Sequence, residues 1–578
     1  MTMSSDRERE EIAGILAAGL GLEKEAVASL LEVPSDRKMG DLALPCFRLA
    51  GQLKRPPHEI AKQGEACLVQ RLPRGVLEAK AAGPYLNVRF DPADRTRRLF
   101  ETILGERDRF GSSQLGAGKT IVLDYSSPNI AKPFSVGHLR STVIGQAVAN
   151  ILAFQGFHCI RINHLGDWGT QFGKLITAYK KWGQEVDLEG DSPIKALLDL
   201  YVRFHQEAEK DPSWEDQARE WFKRLEEGDP EAVELWNRFK ELSLTEFQRI
   251  YDRLGVVFDA LSGESFYNDK MQAVIDRLED KGLLVESRGA KIVDLEPHGL
   301  TPVIIQRSDD ASLYATRDLA AAYYRRDTYG FHKNLYFVAT QQNEHFKQVF
   351  KTLELLGEPW AQDCVHVAFG LISFEEGVMS SRKGKVIFLE DVLNQAVERV
   401  DRIIAEKNPD LANRGGVAEQ VGIGAIRFYD LSRRRIKDWT FDWGRILNFD
   451  GETGPYVMYT HARLMSILRK GESRGLLPLE SVQDFEFSSL DNEEASALLQ
   501  AMEEFPRQIE RAAELYEPSI LAQCLVDISD RANRFYNAHH VLGQEPPIAR
   551  TRLLLVASVA LLLRTGLHLL GIAAPEEM

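Results

Sequence analysis

Lys132, Ser135, Gly137 and His138 stand close together in the stretch Asp124-Tyr-Ser-Ser-Pro-Asn-Ile-Ala-Lys-Pro-Phe-Ser-Val-Gly-His138. Pro128 and Pro133 keep its first part non-helical, and Ser135 is placed to cap a helix whose first turn carries Val136, Gly137 and His138. Such a turn offers unpaired N–H groups and a positive dipole end, and Gly137 lets a ligand approach the backbone closely. It is a seat for an anion. His138, Lys132 and the Ser135 hydroxyl add side-chain donors, which suits a phosphoryl group that gathers negative charge as it reacts. Farther along, Glu375-Glu-Gly-Val-Met-Ser-Ser-Arg-Lys-Gly-Lys385 is a small-residue loop carrying three cations, Arg382, Lys383 and Lys385. Tyr314 and Asp318 are four apart and so share one face of a helix. A carboxylate there can take a planar, fork-shaped cation bidentately while the aromatic ring supports its plane.

These groups need elements to hold them. Ile121-Val122-Leu123 reads as a strand, the apolar run to Gly156 as a helix, and Phe157-His-Cys-Ile-Arg-Ile162 as the next parallel strand, a right-handed βαβ unit of a nucleotide-binding sheet. The loop Asn163 to Gly173 lies at that strand's carboxyl end, where ligands bind, and Gly166 and Gly169 permit close approach. From about Tyr179 to Gly255 the charged, aromatic-rich helical pattern reads as an insertion whose aromatic stripe is core. The sheet is expected to resume near Gly289 to Asp294 and Val303 to Gln306. A helix carrying Tyr314 and Asp318 follows, then a strand Asn334 to Thr340, with Gln341 and Gln342 at its carboxyl end offering amides to a substrate. Residues 1–110 read as an α+β module and the chain beyond 451 as an all-α bundle. Gly118-Lys119-Thr120 imitates a phosphate-binding loop but precedes a strand where that motif should follow one, so it reads as a linker.

At 578 residues the chain should hold several domains. A net charge of -15 argues against wholesale nucleic-acid binding and leaves local basic patches for any RNA contact. The five cysteines are widely spaced, with no Cys-x-x-Cys pair, and predict reduced structural thiols. The acidic start lacks an apolar targeting segment, and the apolar run Leu553 to Leu563 falls short of the ~20 residues a membrane span needs. A cytoplasmic protein without membrane contact is expected.

Val136-Gly137-His138 resembles the end of the His-Ile-Gly-His signature of class I aminoacyl-tRNA synthetases. Ser-Pro-Asn-Ile-Ala-Lys before it and Leu-Arg-Ser-Thr after it resemble the arginyl-tRNA synthetases in particular, as do the 163–173 loop, Gly40-Asp-Leu-Ala, Tyr456 to Arg463 and the closing Leu569 to Met578. Two departures are plain: Ser135 replaces the signature's first His, and Val378 and Ser381 replace the lysines of the Lys-Met-Ser-Lys-Ser loop. The resemblance implies an α/β fold: a Rossmann-type parallel-sheet catalytic domain with a helical insertion, an N-terminal α+β domain and a C-terminal all-α anticodon-binding bundle. The expected divisions are 1–110 (tRNA-contacting), 111–395 (catalytic, insertion at about 180–290), 396–450 (connecting helices) and 451–578 (anticodon-binding).

The implied function is ATP-dependent ligation of arginine to its tRNA through an arginyl-adenylate; the alternative is a catalytically impaired relative that binds tRNA or senses arginine. By resemblance, Lys132, Ser135, Gly137, His138, Arg382 and Lys383 are catalytic, with Lys132 supplying the missing signature lysine. Asp124, Ser127, Asn129, Tyr314, Asp318 and Gln342 bind arginine, and Gly137, His138, Gly166, Met379, Ser380 and Ser381 bind ATP. Mg2+ is expected to accompany ATP without a dedicated protein metal site. The expected partners are arginine, ATP and tRNA(Arg), with the protein a monomer.

Overall fold

Thr120–Asp124 (β1) is buried along Ile121 to Asp124, as a strand covered on both faces must be. It is the central strand of a five-stranded sheet in a computed structural model that describes residues 3–34, 36, 39–190, 192–307, 314–374, 387–479 and 485–578. The other strands are His158–Asn163 (β2), Ala260–Leu261 (β3), Lys333–Tyr336 (β4) and Cys364–His366 (β5). Their order is β5-β4-β1-β2-β3 and every pairing is parallel. The direction of winding therefore reverses between β1 and β4, whose carboxyl ends meet with Asp124 opposite Tyr336. Doubly wound sheets open a ligand crevice at such a switch point.

The helix that follows β1, Leu139–Phe154, is entered through a 3-10 turn, Val136–His138, with extended Ser135 at the N-cap. The helix is buried nearly all round because it also packs beneath helix Arg414–Leu431. Arg140 and Asp430 form a fully buried ion pair at 2.7 Å, Trp439 Nε1 donates to Asp430 at 2.7 Å, and Arg140 Nη1 donates to the Lys437 carbonyl at 2.9 Å. A Cβ at Gly145 would stand 2.3 Å from the Tyr125 ring, so glycine sets how closely helix and strand end approach.

Two expectations about the sheet need correction. Ala290–Val293 and Val303–Gln306 do not resume it; with Leu284–Ser287 they form a separate antiparallel sheet. The cause is local: Arg288 and Gly289 both have positive φ (54° and 77°), the two-residue turn that folds a chain back on itself, whereas parallel neighbours need a crossover. The parallel sheet instead gains β3 at Ala260–Leu261, inside the stretch read as insertion. The insertion itself is helical, Pro193–Lys210, Ser213–Glu226 and Pro230–Leu254, and Phe204, Phe239 and Phe247 are buried in it.

The chain divides into two units. The parallel sheet belongs to Ser112–Tyr459, together with Arg511–Gln523 and Gly566–Met578; the other unit comprises Met1–Gly111, Thr460–Glu510 and Cys524–Thr565. In the latter, Leu42–Pro45, Val76–Ala82 and Tyr85–Phe90 form an antiparallel sheet over a helical core that includes Ile12, Leu16 and Leu68. This α+β module shares its unit with C-terminal helical segments: Arg95 pairs with both Asp41 and Glu503, and Phe110 stacks on Phe505 with ring centroids 6.4 Å apart. The apolar run Leu553 to Leu563 lies in helix Pro546–Leu569, which is long and apolar enough to cross a membrane by length and composition, yet 72% of its most apolar window is buried within the protein.

Candidate active site

A cleft of about 560 Å3 opens at the switch point of the sheet. Asp124, Ser127, Asn129, Gly137, His138, Gly166, Tyr314, Asp318 and Gln342 all line it, although they come from four separate parts of the sequence. Ser135 and Lys132 are not among the lining residues.

The loop leaving β1 is bent in a way that side chains rarely allow. Ser126, Ser127 and Ala131 have φ of 74°, 51° and 60°, each a conformation that costs roughly 1–3 kcal/mol unless its surroundings hold it. Here they do. The Ser126 N–H donates to Ser141 Oγ at 2.9 Å, Ser126 Oγ lies 2.8 Å from both Thr142 Oγ1 and Tyr251 OH, and the Ser127 N–H donates to Asn163 Oδ1 at 3.1 Å. The Ala131 N–H donates to Ser243 Oγ at 2.8 Å. The loop after β2 zips alongside: Gly166 N–H donates to the Pro128 carbonyl at 3.0 Å and receives at its own carbonyl the Ile130 N–H at 3.1 Å. A Cβ at Gly166 would stand 2.3 Å from Asn129 Oδ1, so this close approach requires glycine.

At the anion seat the Ser135 N–H donates to His138 Nδ1 at 3.1 Å, and Ser135 Oγ lies 3.2 Å from the same nitrogen. With Nδ1 accepting, a neutral ring carries its proton on Nε2. Burial lowers the His138 pKa to about 4 and the nearby Lys132 charge adds to this, against the opposing effect of the Ser135 hydrogen bond. His138 is therefore a neutral donor at physiological pH. Ser135 faces His138 and not the cleft, which differs from the expectation that its hydroxyl donates to a phosphate. Lys132 Nζ sits 5.7 Å from the Tyr201 ring centroid.

The opposite end is built on helix Tyr314–Tyr329, whose first residue, Tyr314, is 65% exposed. Asp318 Oδ2 lies 2.5 Å from Nε2 of His345, from helix Asn343–Leu355 after β4. Burial works to raise the Asp318 pKa, but the His345 hydrogen bond and charge prevail and hold it below the ordinary carboxylate range. For His345, burial works downward and Asp318 wins, raising its pKa. Between the two ends Asp124 pairs with the fully buried Arg325 at 2.7 Å and accepts from Ser127 Oγ at 3.1 Å. The Arg325 guanidinium also stands 5.2 Å from the Tyr336 ring centroid.

The sequence reading did not single out Arg325, His345, Glu264, Arg317 or His164, yet each of these lies in the cleft lining or directly behind it. Arg325 had a signal: it is seven residues after Asp318 on the same helix face, just past the run Leu319 to Tyr323. Glu264 had none, since it reaches the cleft from a 3-10 segment, Glu264–Lys270, after β3.

Met379, Ser380, Ser381, Arg382 and Lys383 lie outside the described residues. The residues on either side are anchored. Before the loop, Ile372–Ser373 pairs in parallel with Trp439–Thr440. After it, the Val136 N–H donates to the Ile387 carbonyl at 3.1 Å and the Leu389 N–H to the Phe134 carbonyl at 2.9 Å. The chain thus returns from the basic loop directly beside the Gly137–His138 turn.

The family of class I (R) tRNA synthetase catalytic domains matches residues 100–443. The chain belongs to the arginyl-tRNA synthetases. An arginyl-tRNA synthetase N-terminal domain matches residues 7–90, and a DALR anticodon binding domain matches residues 457–578. The chain is similar to the arginine–tRNA ligase of Clostridium botulinum, 49% identical with 96% of this chain and 97% of that one covered. It is 46% identical to that of Halothermothrix orenii, with 99% of each covered. Among solved structures it resembles the Thermus thermophilus arginyl-tRNA synthetase, 28% identical with a TM-score of 0.80, covering 99% of this chain and 100% of that one. As a class I arginyl-tRNA synthetase it is an enzyme, an arginine–tRNA ligase, and the catalytically impaired alternative gains no support.

Proposed function

We propose that the cleft carries out both steps of arginine–tRNA ligation with a division of labour between its ends. The overall reaction, ATP-dependent joining of arginine to tRNA through an adenylate, follows from membership of the family; the assignment of groups is our inference. Tyr314 and Asp318 take the guanidinium, and Ser127, Asn129 and Gln342 meet the amino acid's backbone end. Asp124, already engaged by Arg325 and Ser127, acts there with its charge offset. A carboxylate oxygen of arginine attacks the α-phosphorus of ATP; the new O–P bond forms as the bond to pyrophosphate breaks. Gly137 and the Nε2–H of His138 donate to the α-phosphate, where charge builds up. Ser135 holds the His138 tautomer, and Lys132 adds positive charge from beside it.

Gly166 and Met379 to Ser381 bind the nucleotide, and Arg382 and Lys383 receive the departing pyrophosphate. The return of the chain at Ile387 beside Val136 supports that last assignment. A hydroxyl of the tRNA's terminal adenosine, the 2′ one by class I habit, then attacks the adenylate carbonyl and AMP leaves. Mg2+ enters as the ATP complex, since a reluctantly dehydrated cation suits phosphate oxygens and water. The domains at 7–90 and 457–578 contact the tRNA, the latter at its anticodon.

One observation carries this reading: an anion-seating turn with a neutral imidazole donor and an acidic, aromatic pair for a planar cation line the same cleft. Amino-acid-dependent ATP–pyrophosphate exchange, with and without tRNA, tests it. Exchange should occur with arginine and not lysine, and rise from near background when cognate tRNA is added. Exchange with another amino acid would reject the pocket assignment, and equal rates without tRNA would show a site already assembled.

A further inference from the structure

The contact between Asp318 and His345 puts an ionisable partner on the carboxylate that must accept the substrate's cation. We propose that His345 is a positioning residue of the arginine site which holds Asp318 while the cleft is empty and gives up its proton when arginine's guanidinium arrives, so that arginine binding is coupled to proton release. This rests on the assignment of Asp318 to the guanidinium.

Nε2 of His345 and Oδ2 of Asp318 are 2.5 Å apart, with side chains 23% and 22% exposed, and both residues line the cleft. In the empty cleft a protonated His345 compensates the carboxylate, in keeping with its raised pKa. A guanidinium arriving at the same carboxylate places two cations on one anion in a partly desolvated site, and the one that can lose its charge is the imidazole. The neutral ring keeps its Nε2–H and goes on donating to Asp318, so the carboxylate stays aimed while the proton passes to solvent.

Helix Tyr314–Tyr329 contributes Arg317 and the Asp124-paired Arg325, and the β2 end contributes His164, whose pKa burial lowers. His366 on β5 stacks on Phe346 at 4.6 Å and donates from Nε2 to the Val338 carbonyl at 2.9 Å, and its pKa is lowered by burial. On His345's own helix, Glu344 is turned toward Thr301. Glu264 is the group that demands a control: burial lifts its carboxyl to about 7, so it too would lose a proton to an incoming cation.

The sign is fixed. Acid keeps His345 protonated and in competition with the substrate, so the arginine Kd should increase as pH falls through the raised pKa, approaching about tenfold per pH unit for one linked proton. Titration calorimetry of the full-length protein with arginine, repeated in buffers of different ionisation enthalpy, counts the protons released. Wild type should release protons near neutrality, Glu264→Gln should retain a release, and Glu264→Gln combined with His345→Gln, which keeps a donor without a titrating group, should release none and bind with a flat pH profile. Release that disappears in Glu264→Gln alone, or persists in the double variant, overturns the proposal. If the double variant does not fold, His345→Asn in the same background takes its place, and a wild type that releases no protons overturns the idea by itself. Asp318→Asn separates the two levels: loss of arginine binding there with no proton release in wild type would defeat the coupling alone, whereas unchanged binding would defeat the site assignment beneath it.

Discussion

At the Gly137 and His138 end of the cleft an imidazole is partly buried without a carboxylate and becomes a neutral donor; at the Tyr314 and Asp318 end an imidazole is partly buried against a carboxylate and has its charged form favoured. Burial opposes charge at both places, so the difference lies in the partner. His138 has the Lys132 charge nearby, which reinforces the effect of burial. His345 has Asp318. In the proposed division of labour the two ends suit opposite ligands, a phosphate that needs donors already in place and a cation that needs a fixed anion. Between them the buried Arg325 and Asp124 pair ties the helix bearing Asp318 to the strand that leads into the His138 loop.

The largest effect is expected at Asp318. Asp318→Ala should raise the arginine KM so far that kcat/KM falls by about 10⁴-fold or more, because a site built around a polar contact rejects a ligand it can no longer pair. Steady-state arginylation measures this, and an unchanged KM would remove Asp318 from the pocket. Arg325→Met tests the tie between the ends. It leaves Asp124 buried without its partner and should destabilise the fold by about 3–5 kcal/mol in denaturant unfolding, with partial recovery when Asp124→Asn is added.

His138→Ala should slow adenylate formation by about 10²–10³-fold, the usual loss for one preorganised donor. The pH profile sharpens the point. Since the folded-state pKa lies near 4, below the ordinary histidine value, wild-type activity should show no His138 limb at neutral pH, and protonation should enter only as pH falls toward about 4. The same shift lets the unfolded chain take up a proton first as pH falls, so His138 weakens the fold on the acid side of its ordinary value and not above it. Smallest is Ser135→Ala. The backbone N–H that fixes the tautomer survives the substitution, so single-turnover rates should fall less than about tenfold, the size of one modest hydrogen bond.

The same two ends explain what could be read from the sequence. Asp124 to Gly145 is contiguous, and its prolines, cap residue and glycine dictate a strand, a bent loop and a helix start by local rules, so the anion seat was legible. The cation end was legible only at Tyr314 and Asp318, four apart on one helix. His345 and Glu264 join them through the sheet order, a long-range property that no local spacing encodes. The sheet was misread for a related reason: β-branched runs at Ala290–Val293 and Val303–Gln306 look alike in a parallel or an antiparallel setting, and the Arg288-Gly289 turn decides between them. Ser135 was read as a donor to the ligand because its capping position was clear and the direction of its side chain was not.

The central claim is that the two ends serve separate steps, recognition and charge stabilisation. Rapid-quench measurement of arginyl-adenylate formation against arginine concentration, with saturating ATP and tRNA, tests it most directly. His138→Ala should lower the rate at saturating arginine while leaving the half-saturating concentration within a few-fold of wild type, and Asp318→Asn should shift the half-saturating concentration far upward. A His138 variant whose defect is cured by more arginine, or an Asp318 variant that saturates normally but reacts slowly, would contradict the division.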